Sequence, residues 1–196
     1  MKGIILAGGK GTRLHPLTKI TSKQLLPVYN KAMVMYPLET LLKAGIKEIL
    51  IIVAPEYAGD FLRLLGSGKE FDAKFTYEIQ DAPKGLPEAF IIGENFIGQD
   101  NVTMILGDNL FLDHDFTDDI KTFQKGGRIF AIAVPDPQRS GVVEFDKDMR
   151  VLSIEEKPQH PKSNFAIPGM YIYDNRVVNI AKGVRTTWRT ETDITE

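Results

Sequence analysis

The sequence predicts an α/β fold: a Rossmann-like, mostly parallel mixed sheet flanked by helices, with antiparallel additions in the C-terminal third. Three observations lead to this prediction. Apolar runs of strand length alternate with helical patterns as far as residue 134, which is typical of a parallel sheet wrapped by helices. Beyond residue 140 the apolar runs lie too close together for crossover helices, so antiparallel strands are expected there. The 196 residues suffice for one domain with a sizeable core.

The elements follow in chain order from the apolar pattern. The first half predicts strands at 3–7, 49–53, 75–79 and 102–106, separated by helices at 33–44, 61–65 and 87–95. Gly45 suits the end of the first helix, and Pro87 suits the first turn of the third. The second half predicts a helix at 116–124, strands at 129–134, 141–145, 151–154 and 165–173, and a last helix at 177–181.

The composition limits the class of protein. The formal net charge of −2 gives no overall attraction to nucleic acid or acidic membranes, so any anion binding must be local. Cysteine is absent, which excludes a disulfide framework, a thiol nucleophile and a cysteine metal site, and fits a reducing compartment. The first apolar run is too short for a signal sequence or a membrane span. We expect a cytoplasmic protein of small-molecule substrates, with neither nucleic acid nor membrane as a partner.

A glycine-rich loop directly follows the first predicted strand. Its glycines, Gly8, Gly9 and Gly11, allow backbone N–H groups to approach an anion closely. Additional donors and positive charge come from Lys10, Thr12, Arg13 and, further along, Lys23. The loop matches neither the dinucleotide fingerprint, whose third glycine is Leu14 here, nor a Walker A loop, whose Lys-Ser order is reversed at 22–23. The loop therefore indicates a phosphate site of another kind, and the alternative is a surface turn without a ligand.

Two further candidates lie at the ends of predicted strands. Asp108 follows the fourth strand, whose carboxyl end shares an edge of the sheet with the glycine loop. A carboxylate facing a phosphate site suits a bridging Mg²⁺, although a strand-end Asp also commonly caps a turn. Lys157 lies before Pro158 in the run EEKP, where it could meet an anion or belong to a solvated charge cluster. The three histidines are isolated in sequence and have no zinc-ligand spacing.

Six segments occur together in an order that resembles the sugar-1-phosphate nucleotidyltransferases. They are LAGGKGTRLHPLTKITSKQLLP at 6–27, YEIQDAPKGLPEAF at 77–90, LGDN at 106–109, SGVVEF at 140–145, EEKP at 155–158 and KSNFAIPGMYIYD at 162–174. The resemblance covers residues 1 to about 180, and the combination is far more specific than any single segment. It favours a functional over a structural interpretation of the glycine loop, Asp108 and Lys157.

The resemblance implies one set of residues for the nucleoside triphosphate. Arg13 would contact the phosphates, and Gln24 and Gln80 would contact the base. The nucleotide-binding residues expected in full are Leu6, Gly8, Gly9, Gly11, Thr12, Arg13, Gln24, Gln80, Pro83, Gly85 and Asp108.

A second set is implied for the sugar phosphate and the metal ion. The residues expected to bind the hexose 1-phosphate are Asn109, Gly141, Glu156, Lys157, Asn164 and Gly169. The catalytic residues expected are Arg13, Lys23, Asp108 and Lys157. Asp108 matches a Mg²⁺ ligand of the family. Glu196 stands where relatives have a second metal-ligating Asp, and its longer side chain would displace the carboxylate.

The resemblance further implies the reaction and the assembly. The expected substrates are dTTP and glucose 1-phosphate, and the expected cofactor is Mg²⁺. UTP or another nucleoside triphosphate remains an alternative, as does a weakly catalytic module that binds nucleotide without releasing pyrophosphate. Glu88 departs from the Gln that is usual at its position. We expect residues 1–196 to form a single catalytic domain, truncated at the C terminus relative to the family, and to form a homo-oligomer.

Overall fold

A computed structural model of the chain describes residues 1–184. Its strands are β1 (Lys2–Ala7), β2 (Pro27–Val28), β3 (Lys31–Ala32), β4 (Glu48–Val53), β5 (Lys74–Ile79), β6 (Val102–Leu106), β7 (Gly127–Ile129), β8 (Ile132–Ala133), β9 (Gly141–Phe145), β10 (Val151–Glu156), β11 (Phe165–Ala166) and β12 (Met170–Tyr173). Its α-helices are α1 (Met35–Lys43), α2 (Ala58–Leu65), α3 (Glu88–Ile92), α4 (Glu94–Ile97), α5 (Thr117–Lys121) and α6 (Val177–Gly183).

The main sheet has six strands in the order β5-β4-β1-β6-β12-β7. Strands β5, β4, β1 and β6 are parallel, whereas β12 runs antiparallel to both of its neighbours. A second, antiparallel sheet has the order β10-β9-β11-β8, and β2 and β3 form a small hairpin. The predicted fold class, a mostly parallel sheet with antiparallel additions towards the C terminus, is confirmed.

Both faces of the main sheet are buried, which explains why its central strands are almost wholly apolar. Successive residues of a strand point to opposite faces, so Ile5 of β1 joins one core cluster and Ile4 joins the other. The Ile5 cluster includes apolar residues of α1, α2 and α5. The Ile4 cluster includes apolar residues of α3, α4 and α6 and Val143 of the second sheet. The second sheet therefore packs on the face opposite α1 and α2.

Four predicted elements differ from the structure. The strand expected at 129–134 is divided between β7 in the main sheet and β8 in the second sheet. The run at 165–173 is likewise divided between β11 and β12, because the chain crosses from the second sheet to the main one at 167–169. The helix expected at 87–95 is two short helices that meet at Gly93, and the one expected at 116–124 covers only α5. Apolar pattern alone does not reveal where a chain changes sheets.

The segment between β1 and β2 contains three short 3₁₀ helices, at Thr12–Leu14, Leu17–Lys19 and Lys23–Leu25. It contains no α-helix, so the first crossover, from β1 to β4, is made by α1 after the β2–β3 hairpin. The glycine loop and its basic residues thus lie on short turns above the sheet. Within residues 1–184, no helix is both long and apolar enough to cross a membrane.

Candidate active site

The candidate residues meet at the carboxyl edge of the main sheet. Leu6 near the end of β1 pairs with Leu106 at the end of β6, so the residues that follow these two strands are neighbours. β5 ends two strands away, and Gln80 extends its ladder by donating its backbone N–H to Val53 O at 2.8 Å. Ligands of open α/β sheets bind outside this edge. The sheet therefore brings the glycine loop, Asp108 and Gln80 to one rim.

The glycine loop turns sharply at Gly11. Its φ of 59° and ψ of 28° are left-handed, and a Cβ there would lie 2.9 Å from Lys23 Cβ. The buried Thr18 donates its hydroxyl to Gly11 O at 2.8 Å and ties the turn to the following segment. The loop is consequently held in a defined shape before any ligand binds.

An open cleft of about 470 Å³ lies beside this loop. It is lined by Gly9, Gly11, Thr12, Arg13, Leu14, Lys23, Gln24 and Asp108. Arg13 is exposed in the cleft and makes no ion pair within residues 1–184. The cleft therefore combines backbone N–H groups with an available guanidinium, as anion binding requires.

Asp108 lies at the centre of a polar network. Lys23 Nζ is 2.6 Å from Asp108 Oδ2, and Asn109 Nδ2 donates to Asp108 Oδ1 at 3.1 Å. Asn109 Oδ1 in turn accepts the backbone N–H of Gly169 at 2.9 Å. These contacts connect the end of β6 with the glycine-loop segment on one side and with the start of β12 on the other. Asp108, which the resemblance assigns to the nucleotide, is thus connected to Asn109 and Gly169, which the resemblance assigns to the sugar phosphate.

Gln80 is buried beside the start of the glycine loop. A Cβ on Gly8 would lie only 2.2 Å from Gln80 Oε1, so any other residue at position 8 would displace the Gln80 amide. Gln80 Nε2 donates to Glu88 Oε2 at 2.7 Å, and the backbone N–H of Lys84 donates to the same oxygen at 3.2 Å. Glu88, the residue that departs from the family pattern, therefore links Gln80 to the loop that precedes α3.

Gln24 is also buried, in the segment between β1 and β2. The Ser22 hydroxyl donates to Gln24 Oε1 at 2.6 Å and accepts the backbone N–H of Gln24 at 3.4 Å. Gln24 Cγ contacts the position of a Cβ on Gly107, which follows β6. The two glutamines expected to contact the base thus belong to the same rim, each with its amide in a hydrogen bond.

The loop that carries Pro83 and Gly85 is less enclosed than the glycine loop. Pro83 is exposed, and Gly85 is half-buried with a φ of 108°, a conformation that favours glycine. Both lie between Gln80 and Glu88 in the sequence. Their expected contacts with the nucleotide stay predictions.

The expected sugar-phosphate residues fall into two groups. Asn109 adjoins Asp108, and Gly169 contacts Asn109, as described above. Gly141 pairs with Glu156 between β9 and β10, and Lys157 Nζ forms an ion pair with Glu156 Oε1 at 3.0 Å. Lys157 adopts a φ of 44° and donates its backbone N–H to Ser140 O at 3.0 Å. Asn164 is exposed before β11, where its backbone oxygen accepts from Val134 N.

Asp108 has the chemistry of a magnesium ligand. Among the described residues that line the cleft it is the one carboxylate, and its side chain is 29% exposed. Mg²⁺ needs only one or two protein carboxylates when substrate phosphates complete its shell. Within residues 1–184 there is no cluster of three acidic or histidine side chains that could hold a metal ion alone. The described donor set therefore fits a metal that arrives with a phosphate substrate. Glu196 lies outside the described residues.

Two supporting residues were not predicted from the sequence. Thr18 and Ser22 stabilise the loop segment by hydrogen bonds to Gly11 and Gln24. Ser22 had a local signal, because a serine before a short turn often caps it, and it is the N-cap of the 3₁₀ helix that follows. No local sequence signal marked Thr18, because its hydrogen-bond partner, Gly11, is seven residues away on the other side of a turn.

A mostly parallel sheet with a glycine loop, two cations and a carboxylate at its carboxyl edge is the arrangement expected of an α/β enzyme that binds a nucleotide. Residues 2–196 match the family model described as nucleotidyl transferase, and the chain belongs to this family. The expected resemblance and fold are confirmed by this match.

Individual relatives are similar over the whole chain. A glucose-1-phosphate thymidylyltransferase of Neisseria meningitidis is 53% identical over 199 residues, covering 100% of this chain and 69% of that protein. A protein of the same name from Mycobacterium tuberculosis is 52% identical. The crystal structure of a Bacillus anthracis protein assigned to the same activity, in complex with a sucrose, has a TM-score of 0.93 and 41% identity and covers 100% of this chain and 80% of its own. A UDP-glucose pyrophosphorylase complexed with UDP-glucose has a TM-score of 0.85 and 25% identity, with 99% of this chain covered and 83% of that one.

Proposed function

We propose that this nucleotidyltransferase joins dTTP and glucose 1-phosphate to give dTDP-glucose and pyrophosphate. The observation that carries the proposal is the sequence identity of 53% and 52% to proteins named glucose-1-phosphate thymidylyltransferase. The cleft supports it, because it is lined by the expected glycine loop, the cations Arg13 and Lys23, and the carboxylate of Asp108. A UTP-dependent reaction is the second candidate, because the fold is shared with UDP-glucose pyrophosphorylase.

The reaction is a substitution at phosphorus. An oxygen of the sugar phosphate forms a bond to the α-phosphorus of dTTP, and the bond from that phosphorus to the β-phosphate oxygen breaks. Pyrophosphate leaves with the electron pair. Because a sugar phosphate is already anionic at neutral pH, no side chain needs to remove a proton.

The protein must instead align two anions and offset their repulsion. Arg13 is the exposed cation of the cleft and would bind the phosphates that leave. Lys23 is held by Asp108 at 2.6 Å and would turn to the reacting phosphates when they bind. Lys157 would bind the sugar phosphate from the second sheet, where it is paired with Glu156. The glycine loop would contribute backbone N–H groups to the triphosphate.

Asp108 would hold the magnesium ion that accompanies the triphosphate. A bound Mg²⁺ supplies positive charge to the phosphate oxygens as negative charge develops on them. Before substrate binds, the ion pair with Lys23 holds this carboxylate in one orientation. The contact from Asn109 to the other oxygen of Asp108 serves the same purpose.

The decisive experiment measures pyrophosphate release from dTTP, UTP, dCTP and GTP, each with glucose 1-phosphate and Mg²⁺. We expect dTTP to give the highest kcat/KM. Fastest release from UTP would favour the second candidate. Nucleotide binding without release from any pair would instead favour a binding module.

We also propose a cytoplasmic location and a homo-oligomeric state, which stay predictions. The absence of cysteine is compatible with a reducing compartment. Sedimentation equilibrium of the chain tests the assembly, and a monomer at micromolar concentration would contradict it.

A further inference from the structure

Residues 167–169, the crossing segment, lead from the second sheet to the main sheet and contact both sides of the proposed site. At one end, the backbone N–H of Ile167 donates to Gly141 O of β9 at 2.8 Å. At the other end, Gly169 O accepts the backbone N–H of Leu106, the last residue of β6, at 2.9 Å. Gly141 belongs to the expected sugar-phosphate residues, whereas β6 leads to the expected metal ligand. The crossing segment therefore joins the two expected ligand sets.

Asn109 connects the crossing segment to Asp108 through its side-chain amide. Its Nδ2 donates to Asp108 Oδ1 at 3.1 Å, and its Oδ1 accepts the backbone N–H of Gly169 at 2.9 Å. An ionised carboxylate can only accept hydrogen bonds and a backbone N–H can only donate one, so both partners require the same orientation of the amide. Each end of this amide thus has a protein partner.

The crossing segment packs closely against the end of β6. A Cβ on Gly169 would lie 2.5 Å from Leu106 Cγ and 2.9 Å from Asn109 Nδ2. Pro168, in the middle of the segment, fixes one of its backbone angles. A tightly packed contact transmits a displacement to its neighbour rather than absorbing it. A shift of Asn109 should therefore reach the crossing segment.

Asp108 is the residue whose partners change when the nucleotide binds in the proposed reaction. Its Oδ2 is 2.6 Å from Lys23 Nζ, and Lys23 would turn from this carboxylate to the phosphates. The same carboxylate would then hold the metal ion that accompanies the triphosphate. Asn109 is bonded to the other oxygen of Asp108, so a reorientation of the carboxylate must be felt by the Asn109 amide.

We propose that Asn109 is a positioning residue that couples the two substrate sites: through Gly169, it orders the crossing segment, and with it the sugar-phosphate side of the cleft, when the nucleotide binds at Asp108. This inference rests on the proposed function, because it assumes that the nucleotide lies at Asp108 and the sugar phosphate beside Gly141. The role is separate from any contact that Asn109 makes with the sugar.

The direct test measures hydrogen exchange of the Ile167 N–H by NMR, because this group bonds the crossing segment to the second sheet. The ligand is a dTTP analogue with a methylene group between the α- and β-phosphorus, at saturation and with Mg²⁺. We expect it to slow this exchange by about fivefold or more in the unaltered chain, the lower end of usual coupling between sites. In Asn109→Ala the slowing should fall below about twofold. Asn109→Asp keeps an acceptor for Gly169 but has no donor for Asp108, so it should lose the slowing as well.

Asn101→Ala is the matched control. Asn101 lies directly before β6, at the opposite edge of the sheet from Asp108, and its Nδ2 donates to Gln124 O at 3.3 Å. The analogue should slow the Ile167 exchange in this variant as much as in the unaltered chain. Thermal unfolding of each variant checks that it is folded.

The affinity for glucose 1-phosphate separates coupling from a direct contact. Two ligands that order the same segment help each other, because the first to bind lowers the entropic cost for the second. Isothermal titration calorimetry should show glucose 1-phosphate binding about fivefold or more tightly when the analogue is present, and this gain should disappear in Asn109→Ala. An equal loss of affinity with and without the analogue would show that Asn109 only contacts the sugar, and would overturn the inference.

The outcomes separate this inference from the proposed function. Unaltered slowing of the Ile167 exchange in Asn109→Ala, or no slowing in the unaltered chain, overturns the inference even if dTTP and glucose 1-phosphate release pyrophosphate. Conversely, slowing that is lost as expected supports the inference even if no pyrophosphate is released, because binding does not require turnover. A chain that binds neither the analogue nor glucose 1-phosphate overturns both.

Discussion

Arg13 and Lys23 are both cations of the cleft, but their surroundings differ. Lys23 is neutralised by Asp108 at 2.6 Å, whereas Arg13 makes no ion pair within residues 1–184. An unpaired guanidinium at an open cleft can bind a phosphate without first breaking another contact. Arg13 could therefore bind an anion in the cleft without losing an ion pair of its own.

Replacing Arg13 with alanine should lower kcat for pyrophosphate release by roughly 10²-fold or more, as loss of a preorganised oxyanion donor does. Steady-state kinetics with dTTP and glucose 1-phosphate measures the change. Arg63→Ala is the control, because Arg63 lies on α2 with its side chain 82% exposed in a pair with Asp60. Near-normal turnover in Arg13→Ala would remove Arg13 from the mechanism.

At the scale of elements, Asp174 joins three of them. It follows β12, accepts the backbone N–H of Gly126 before β7 at 2.8 Å, and accepts from Arg176 Nε, just before α6, at 3.0 Å. The hydrogen bonds and charge of Arg176, together with the backbone N–H of Gly126, lower the pKa of Asp174 to about 2. The edge strand β7 is thus held by a carboxylate whose contacts favour its ionised form.

Because of Asp174, the free energy of unfolding should fall as the pH is lowered in the acidic range. Its pKa in the folded protein lies below the ordinary value near 3.9, so its contribution is complete above about pH 4 and is lost as the pH falls towards about 2. Asp174→Asn should reduce the free energy of unfolding by about 1–3 kcal/mol at pH 7, as the loss of a hydrogen-bonded charge does. Urea denaturation between pH 2 and 7 measures both effects.

Asp72→Asn is the control for this variant, because the Asp72 side chain is 98% exposed in its pair with Lys47. Its free energy of unfolding should stay within about 0.5 kcal/mol of the original. If Asp174→Asn and the unaltered chain lose stability in parallel below pH 4, Asp174 is not the group responsible.

Three tyrosines of the main sheet have a raised pKa, which makes the stability of the whole domain depend on pH in the alkaline range. Burial raises the pKa of Tyr77 and Tyr173 to about 12, and it also raises the pKa of Tyr171. Tyr77 additionally donates its hydroxyl to Gly66 O at 2.6 Å. These rings lie on β5 and β12, towards opposite ends of the main sheet.

The chain should therefore lose stability above about pH 10, where tyrosines in the unfolded chain ionise but the buried ones keep their protons. Below that pH both states are protonated, so this contribution is constant. Urea denaturation from pH 8 to 12 should show a shallower decline in Tyr77→Phe, which lacks one of the shifted groups, although its stability at pH 8 should be lower. An equal slope in the two proteins would contradict the assignment.

Much of the fold could be predicted because its signals are local. The apolar runs of β1, β4 and β6 are short, continuous and buried on both faces, so each is visible without knowledge of its neighbours. The runs at 129–134 and 165–173 are also apolar, yet each contributes one strand to the main sheet and one to the second sheet. Which ladder a residue joins depends on strands far away in sequence, and no periodicity records it.

The kind of candidate site could be predicted from local sequence, which has a glycine loop with cations after the first strand and Asp108 after another strand. Residue type and strand order suffice for this prediction, because they decide which side chains reach the carboxyl edge of the sheet. The side-chain pairs could not be predicted in this way, namely Lys23 with Asp108, Asn109 with Gly169, and Glu88 with Gln80. Lys23 and Asp108 are 85 residues apart, and such contacts arise from strand order and packing rather than from local pattern.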